Sequence, residues 1–79
     1  MIKLGDKAKG FKFPAFRNSA NLNYNEQMDR FVGVEGVVHH VGLLTLDIFF
    51  GNIWYTYPIK EYLAIQRAER AERLKELGI

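Results

Sequence analysis

The Gly51-Asn52 dipeptide constrains the fold of this chain more than any other feature of the sequence. It separates two runs rich in β-branched and aromatic residues, 44–50 and 53–58, and glycine at the first central position suits a type II′ hairpin turn. A two-residue turn also sets the register of the two strands, because the residues that flank it must face each other. Phe49 is therefore predicted to lie opposite Trp54.

The predicted hairpin has a core face and a mixed face, since side chains alternate between the two sides of a strand. On the mixed face, Asp47 lies opposite Thr56, and the large rings of Phe49 and Trp54 lie beside them. The core face is expected to consist of Leu44, Leu46, Ile48, Phe50, Ile53, Tyr55 and Tyr57.

Two further strands are predicted before the hairpin. Residues 34–41 have the composition of a strand, with Gly36 as a bulge or as a point where another part of the chain approaches closely. Residues 7–13 are predicted to form a first strand whose register shifts at a bulge on Gly10. The side chains that point inward from this first strand would be Ala8, Phe11 and Phe13.

The remaining segments are a loop and a helix. Residues 14–30 contain a proline, four asparagines and a serine among scattered aromatic and aliphatic residues, which predicts a long anchored loop with one helical turn at 26–31. After Pro58 the helix formers Ala, Glu, Arg, Leu and Lys predominate, and Gly78 supplies a stop. We therefore expect a β-domain over 1–63 and a C-terminal amphipathic helix over 60–79.

Composition narrows the class of protein. The chain has 79 residues, which suffices for one small domain, and it has no cysteine, so disulfides and thiolate chemistry are excluded. The net charge of +2 is too small to indicate nucleic acid by itself. No apolar run approaches the roughly 18 residues of a membrane span, and the first residues lack the apolar core of a signal peptide. These features predict a cytoplasmic protein with no membrane partner.

Four short strands, a long first loop and tight later turns favour a small bent β-barrel, and the order of the motifs supports this. A segment Gly5-Asp6-Lys7-Ala8-Lys9-Gly10 is followed by Val34-Glu35-Gly36-Val37-Val38, then by Leu46-Asp47-Ile48-Phe49-Phe50-Gly51, and the barrel ends at Tyr57-Pro58. This order resembles SH3-like barrels of the KOW, Tudor and mind-bomb/Herc kinds, although Ala8 stands where those barrels usually have valine and a long helix follows. The fold expected is thus mainly β: a single SH3-like small β-barrel of about four to five strands with a C-terminal α-helix.

The opening segment at 5–13 is also similar to that of small bacteriophage-encoded proteins with a Gly-Asp-Lys…Gly-Phe-Lys-Phe start. The two resemblances imply a non-catalytic binding module. In a phage setting they imply a protein that binds and inhibits or redirects a host or host-defence protein in the host cytoplasm.

The predicted protein-binding residues are Phe49, Trp54, Asp47 and Thr56. Two large aromatic side chains opposite each other on an otherwise polar face form an exposed apolar patch, and such patches usually mark interaction sites. The alternative is that the loop at 14–30 or the C-terminal helix folds over this face and turns it into a second small core.

The alternative function is binding of RNA or DNA by a basic cluster. Lys7, Lys9, Lys12 and Arg17 would contact phosphate, with Phe16 or Tyr24 stacking on a base. Against this, residues 31–58 contain no lysine or arginine, so that a continuous basic groove is not expected. An ordinary solvated surface explains the same residues.

Catalytic, metal and cofactor sites are not predicted. His39 and His40 are adjacent, and neighbours on a strand point to opposite faces, so both rings are not expected to bind one ion. The carboxylates of Asp6, Asp29 and Glu35 belong to no recognisable catalytic pattern, and no nucleotide-binding or nucleophile motif is present.

The C-terminal helix provides a possible homodimer contact. Small residues at Ala68 and Ala71, with Leu74 one turn further on, would allow a second helix to approach closely. A charged helix that projects into solvent is the alternative.

Overall fold

The structure, a computed structural model, describes residues 2–78. Four strands form one antiparallel sheet in the order β1-β2-β3-β4. The predicted antiparallel sheet followed by a C-terminal helix is confirmed, whereas β1 and β4 form two separate edges and the sheet is not closed between them. The elements in chain order are β1 (Lys7–Lys9), a 3₁₀ helix η1 (Glu26–Phe31), β2 (Glu35–Val41), β3 (Thr45–Phe49), β4 (Trp54–Pro58) and α1 (Ile59–Glu76).

The β3–β4 hairpin has the predicted register. Phe49 pairs with Trp54, and the amide of Phe50 donates a hydrogen bond of 2.8 Å to the carbonyl of Ile53. Gly51 has a φ of +100°, the positive value that the first central residue of a type II′ turn requires.

The core lies on the inner face of the sheet. Leu46, Ile48 and Tyr57 are completely buried there, as predicted. Leu44 was expected among them but is 59% exposed, because it precedes β3 in the connection from β2, where the alternation of a strand does not apply. The rest of the core consists of Ala8, Phe11, Phe13, Met28, Val38 and Tyr62.

β1 is shorter than predicted, and Gly10 has a different role. The strand ends at Lys9, and Gly10 forms only an isolated parallel bridge with Val32. A Cβ atom at Gly10 would lie 2.2 Å from the carbonyl oxygen of Phe31, so only glycine permits this backbone contact. The chain changes direction at a close contact instead of a bulge, and Ala8, Phe11 and Phe13 still point inward.

The bulge of the sheet lies at His39. Val38 pairs with Ile48 and His40 pairs with Asp47, which leaves His39 as the extra residue of β2. Gly36 is a point of close approach, one of the two roles predicted for it. A Cβ atom there would lie 2.6 Å from the carbonyl oxygen of Phe49.

The loop at 14–30 is organised by Asn18. Its side-chain nitrogen donates to the carbonyls of Pro14 and Leu22 at 2.8 and 2.9 Å. Its side-chain oxygen accepts from the amides of Ala20 and Leu22 at 3.1 and 2.9 Å. One asparagine thus holds both ends of a short stretch of irregular backbone.

The predicted helical turn is η1, which anchors the loop to the core. Asn25 caps it by accepting a hydrogen bond of 2.9 Å from the amide of Gln27, and Met28 inserts into the core. Tyr24 packs edge-on against Phe13, with 5.0 Å between ring centroids. Phe16 anchors nothing, since it is 67% exposed.

Only the first turns of α1 pack against the sheet. Tyr62 is buried, and Leu63 is half-buried. Ala64 is exposed, because two residues correspond to about half a turn and place it opposite Tyr62. From Gln66 to Gly78 the residues are exposed on all sides.

Candidate functional site

An apolar row crosses the outer face of the sheet. The register aligns Val37 on β2 with Phe49 on β3, and Phe49 with Trp54 on β4. These three side chains belong to residues that are 42%, 38% and 52% exposed. They point outward because their neighbours Val38, Ile48 and Tyr55 point inward, as the pleat requires. We call Val37, Phe49 and Trp54 the outer patch.

A polar group lies beside the outer patch. The hydroxyl of Thr56 donates a hydrogen bond of 2.7 Å to Oδ1 of Asp47, its cross-strand partner. The other carboxylate oxygen of Asp47 lies 3.8 Å from Nε2 of His39 and 3.8 Å from Nδ1 of His40. The four residues predicted from the hairpin, Phe49, Trp54, Asp47 and Thr56, therefore lie together on one face.

The bulge brings both histidines to this face, which the sequence analysis missed. The argument that adjacent strand residues point to opposite sides does not hold at a bulge, where two residues oppose one. The His39 ring lies 5.8 Å from the ring of Phe49 and 5.6 Å from that of Trp54. His39 thus joins the apolar row to the carboxylate of Asp47. Within residues 2–78, no group of three His, Asp or Glu side chains is placed to hold a metal ion.

The loop and the helix pack on the opposite, inner side of the sheet. Met28 from η1 and Tyr62 from α1 both enter the core. The loop meets the helix where the amide and hydroxyl of Ser19 each donate a 3.1 Å hydrogen bond to Glu61. The rings of Phe49 and Trp54 therefore remain at the surface.

The four basic residues of the predicted nucleic-acid site do not line one groove. Lys7 and Lys9 border a groove of about 300 Å³ between β1 and α1, whereas Lys12 and Arg17 are exposed elsewhere. The groove also contains Glu35 and Glu69, and Nζ of Lys7 lies 3.9 Å from a carboxylate oxygen of Glu35. Acidic groups thus interrupt the positive charge. The floor of the groove is formed by Ala8, Phe11, Tyr62 and Ile65.

Comparison with protein-family models, with curated proteins and with solved structures finds no match to this chain. None of the helices within residues 2–78 is long and apolar enough to cross a lipid bilayer.

Proposed function

We propose that this protein is a non-enzymatic protein-binding module whose contact face is centred on Phe49 and Trp54. The observation that supports the proposal is the outer patch, which stays exposed while the loop and the helix cover the other face of the same sheet. Aromatic side chains at the centre of a contact supply much of the binding energy of protein interfaces. A small domain that leaves its one tryptophan exposed gives up burial that would otherwise stabilise it.

The polar half of the face would set the orientation of the partner. The Asp47 side chain is 16% exposed and is fixed by the hydrogen bond from Thr56. A carboxylate held in one position favours partners whose donors meet it and disfavours others. Asp47 and Thr56 therefore contribute specificity in this proposal, while Phe49 and Trp54 contribute affinity.

The resemblance adds a proposal about fold and origin. We infer that residues 1–63 represent an SH3-like small β-barrel that is open between β1 and β4, supported by the order of the strands, the long first loop and the glycines at 10, 36 and 51. Because the opening segment is similar to that of phage-encoded proteins, we also propose that this is a phage protein. It would bind and inhibit or redirect a host protein in the cytoplasm. The helix α1 (Ile59–Glu76) would then be appended to the barrel.

The test is capture of partners by the immobilised chain. We expect the Phe49→Ala/Trp54→Ala double variant to lose the proteins that the wild type retains, measured by quantitative mass spectrometry. The control is Phe16→Ala/Leu43→Ala, which removes one aromatic and one aliphatic residue that are even more exposed, at 67% and 100%, but lie outside the patch. Circular dichroism of each variant reports whether the sheet is intact.

Four outcomes would count against the proposal. Equal capture by the double variant, or equal loss by the control, would show that the outer patch is not the contact face. Unfolding of the double variant would show that the two rings belong to the core. Nucleic acid bound by the wild type, weakening steeply with salt and with Lys→Ala changes at Lys7, Lys9, Lys12 or Arg17, would support the alternative function.

A further inference from the structure

The two edges of the sheet differ in how well they are protected. β1 has three residues, two of which are Lys7 and Lys9, and both shortness and lysines prevent an edge strand from pairing with another chain. β4 has five residues without a charge, and no lysine or arginine occurs between 31 and 58. Only Pro58, at the end of β4, limits pairing there.

β4 presents unpaired backbone groups along its free edge. Phe50 and Ile53 form the hydrogen-bonded pair next to the turn, and such pairs alternate with pairs whose backbone groups point away from the neighbouring strand. The N–H and C=O groups of Trp54 and Thr56 therefore point to the free edge. Within residues 2–78, the structure gives these groups no hydrogen-bond partner.

Space is open on both sides of this edge. On the outer side, Trp54 is the most exposed member of the outer patch. On the inner side, a hollow of about 270 Å³ lies beside β4 and is bordered by η1. It is lined by Gln27, Arg30, Phe31, Asn52, Ile53 and Tyr55.

We propose that the free edge of β4 pairs with β4 of a second copy of this chain. In an antiparallel pair with its two-fold axis at Tyr55, Trp54 of each copy lies opposite Thr56 of the other. Every unpaired backbone group of these two residues then gains a partner. The Tyr55 side chains meet on the inner side, where the hollow provides room for them.

The strand itself carries no charge that would repel a second copy. No like charges meet between the two β4 strands, and among residues 2–78 Arg30 of η1 is the one charged residue that lines the inner hollow. The nearest acid on the outer face, Asp47, lies one strand further in and already accepts a hydrogen bond from Thr56. The edge is thus complementary to itself, and the resulting sheet would carry two outer patches side by side. This inference concerns the strand edge and does not depend on the proposed function.

The test is the mass of the protein in solution, measured by sedimentation equilibrium from low to high micromolar concentration. We expect the wild type to approach the mass of a dimer, and Thr56→Pro to remain a monomer, because proline removes the outward N–H without removing a bond to β3. Thr56→Val keeps that N–H and removes only the hydroxyl, so it should dimerise. Lys9→Pro, like Thr56→Pro, removes an edge N–H, but it does so on β1 at the other edge of the sheet. It should therefore also dimerise.

A second measurement needs no variant. Amide hydrogen exchange of the wild type should slow at Trp54 and Thr56 as concentration rises, while the amides of Lys7 and Lys9 exchange equally fast throughout. A wild type that stays monomeric, with no such protection, would overturn the proposal and leave the edge to an extended segment of another protein. A dimer that persists in a folded Thr56→Pro variant would also overturn it, and would point instead to the helix face at Ala68, Ala71 and Leu74.

Discussion

Tyr57 places a phenol hydroxyl in the core with no hydrogen-bond partner among residues 2–78. A buried polar group without a partner costs about 1–3 kcal/mol relative to one that is satisfied. We therefore expect Tyr57→Phe to leave the free energy of unfolding unchanged or to raise it by about 1 kcal/mol, as measured by urea denaturation. The ring itself is retained, so its contact with Phe11, at 4.9 Å between centroids, should persist.

Tyr62 is the matched control for this prediction. It is also buried, but its hydroxyl is paired with the side-chain amide of Gln66 at 2.6 Å. Tyr62→Phe should therefore lower the free energy of unfolding by about 1 kcal/mol, because it removes the hydrogen bond with Gln66. If Tyr57→Phe proved the more destabilising of the two, the Tyr57 hydroxyl would have to have a partner such as a buried water.

The positions of some site residues could be predicted from the sequence, and the position of His39 could not. Phe49, Trp54, Asp47 and Thr56 were placed together correctly, because the turn sets their register. His39 was not, because nothing in the sequence around it signals a bulge: the adjacent residues have ordinary strand composition and contain no glycine. The bulge depends on how β2 fits against β3, which is a property of the pair of strands.

At the scale of elements, the loop at 14–30 depends on one side chain. Asn18 makes four hydrogen bonds to the backbone of residues 14–22, two as a donor and two as an acceptor. Asn18→Ala should lower the free energy of unfolding by about 1–2 kcal/mol, because backbone groups that it satisfies lose their partner. Amide exchange at Ala20 and Leu22 should also become faster.

Asn23, which is exposed in the same loop, is the control. Asn23→Ala should change the free energy of unfolding by less than about 0.5 kcal/mol, as surface substitutions usually do. Equal effects of the two substitutions would mean that the Asn18 hydrogen bonds contribute nothing to the stability of the loop.

Elements with a local signal were predicted best. The hairpin follows from Gly51-Asn52, and the end of α1 follows from Gly78, whose φ is +75°. The turn predicted at 26–31 is η1, and its cap by Asn25 was not foreseen. The end of β1 was not predicted, because it is set by the contact of Gly10 with Phe31, 21 positions later in the chain. Such a contact has no signature in a window of neighbouring residues.

For the whole molecule, the sequence predicted a sheet with one buried face but not whether that sheet closes. Strand composition and alternation predict a sheet with one buried face, and the chain has that arrangement. Whether β1 and β4 meet depends on the curvature of the sheet and on where the loop packs, and neither is encoded in residue spacing. The same information decides which face stays exposed, so the uncovered outer patch also could not be predicted from the sequence alone.

Two core tyrosines, Tyr57 and Tyr62, and the partly buried Tyr24 link the stability of the whole molecule to alkaline pH. Desolvation, the hydrogen bond to Asp29 and the charge of Asp29 together raise the pKa of Tyr24 from 10.0 to about 12, with desolvation the largest cause. Burial likewise raises the pKa of Tyr57 and, with the charge of Asp6, that of Tyr62. Each phenol therefore keeps its proton in the folded state at a pH at which the unfolded chain has lost it.

The sign of the effect follows from proton linkage. Below a pH of about 10, tyrosine is protonated in both states and contributes no pH dependence. Above it, the unfolded state binds fewer protons than the folded state, so the free energy of unfolding must fall as pH rises.

We expect this decline to begin near pH 10 and to continue through the folded-state pKa of Tyr24, with urea denaturation at successive pH values as the measurement. Tyr24→Phe should reduce the slope by the contribution of one proton, which separates the tyrosines from the lysines that titrate in the same range. An unchanged slope in that variant would mean that Tyr24 ionises equally in both states, and that its hydrogen bond to Asp29 does not hold its proton in solution.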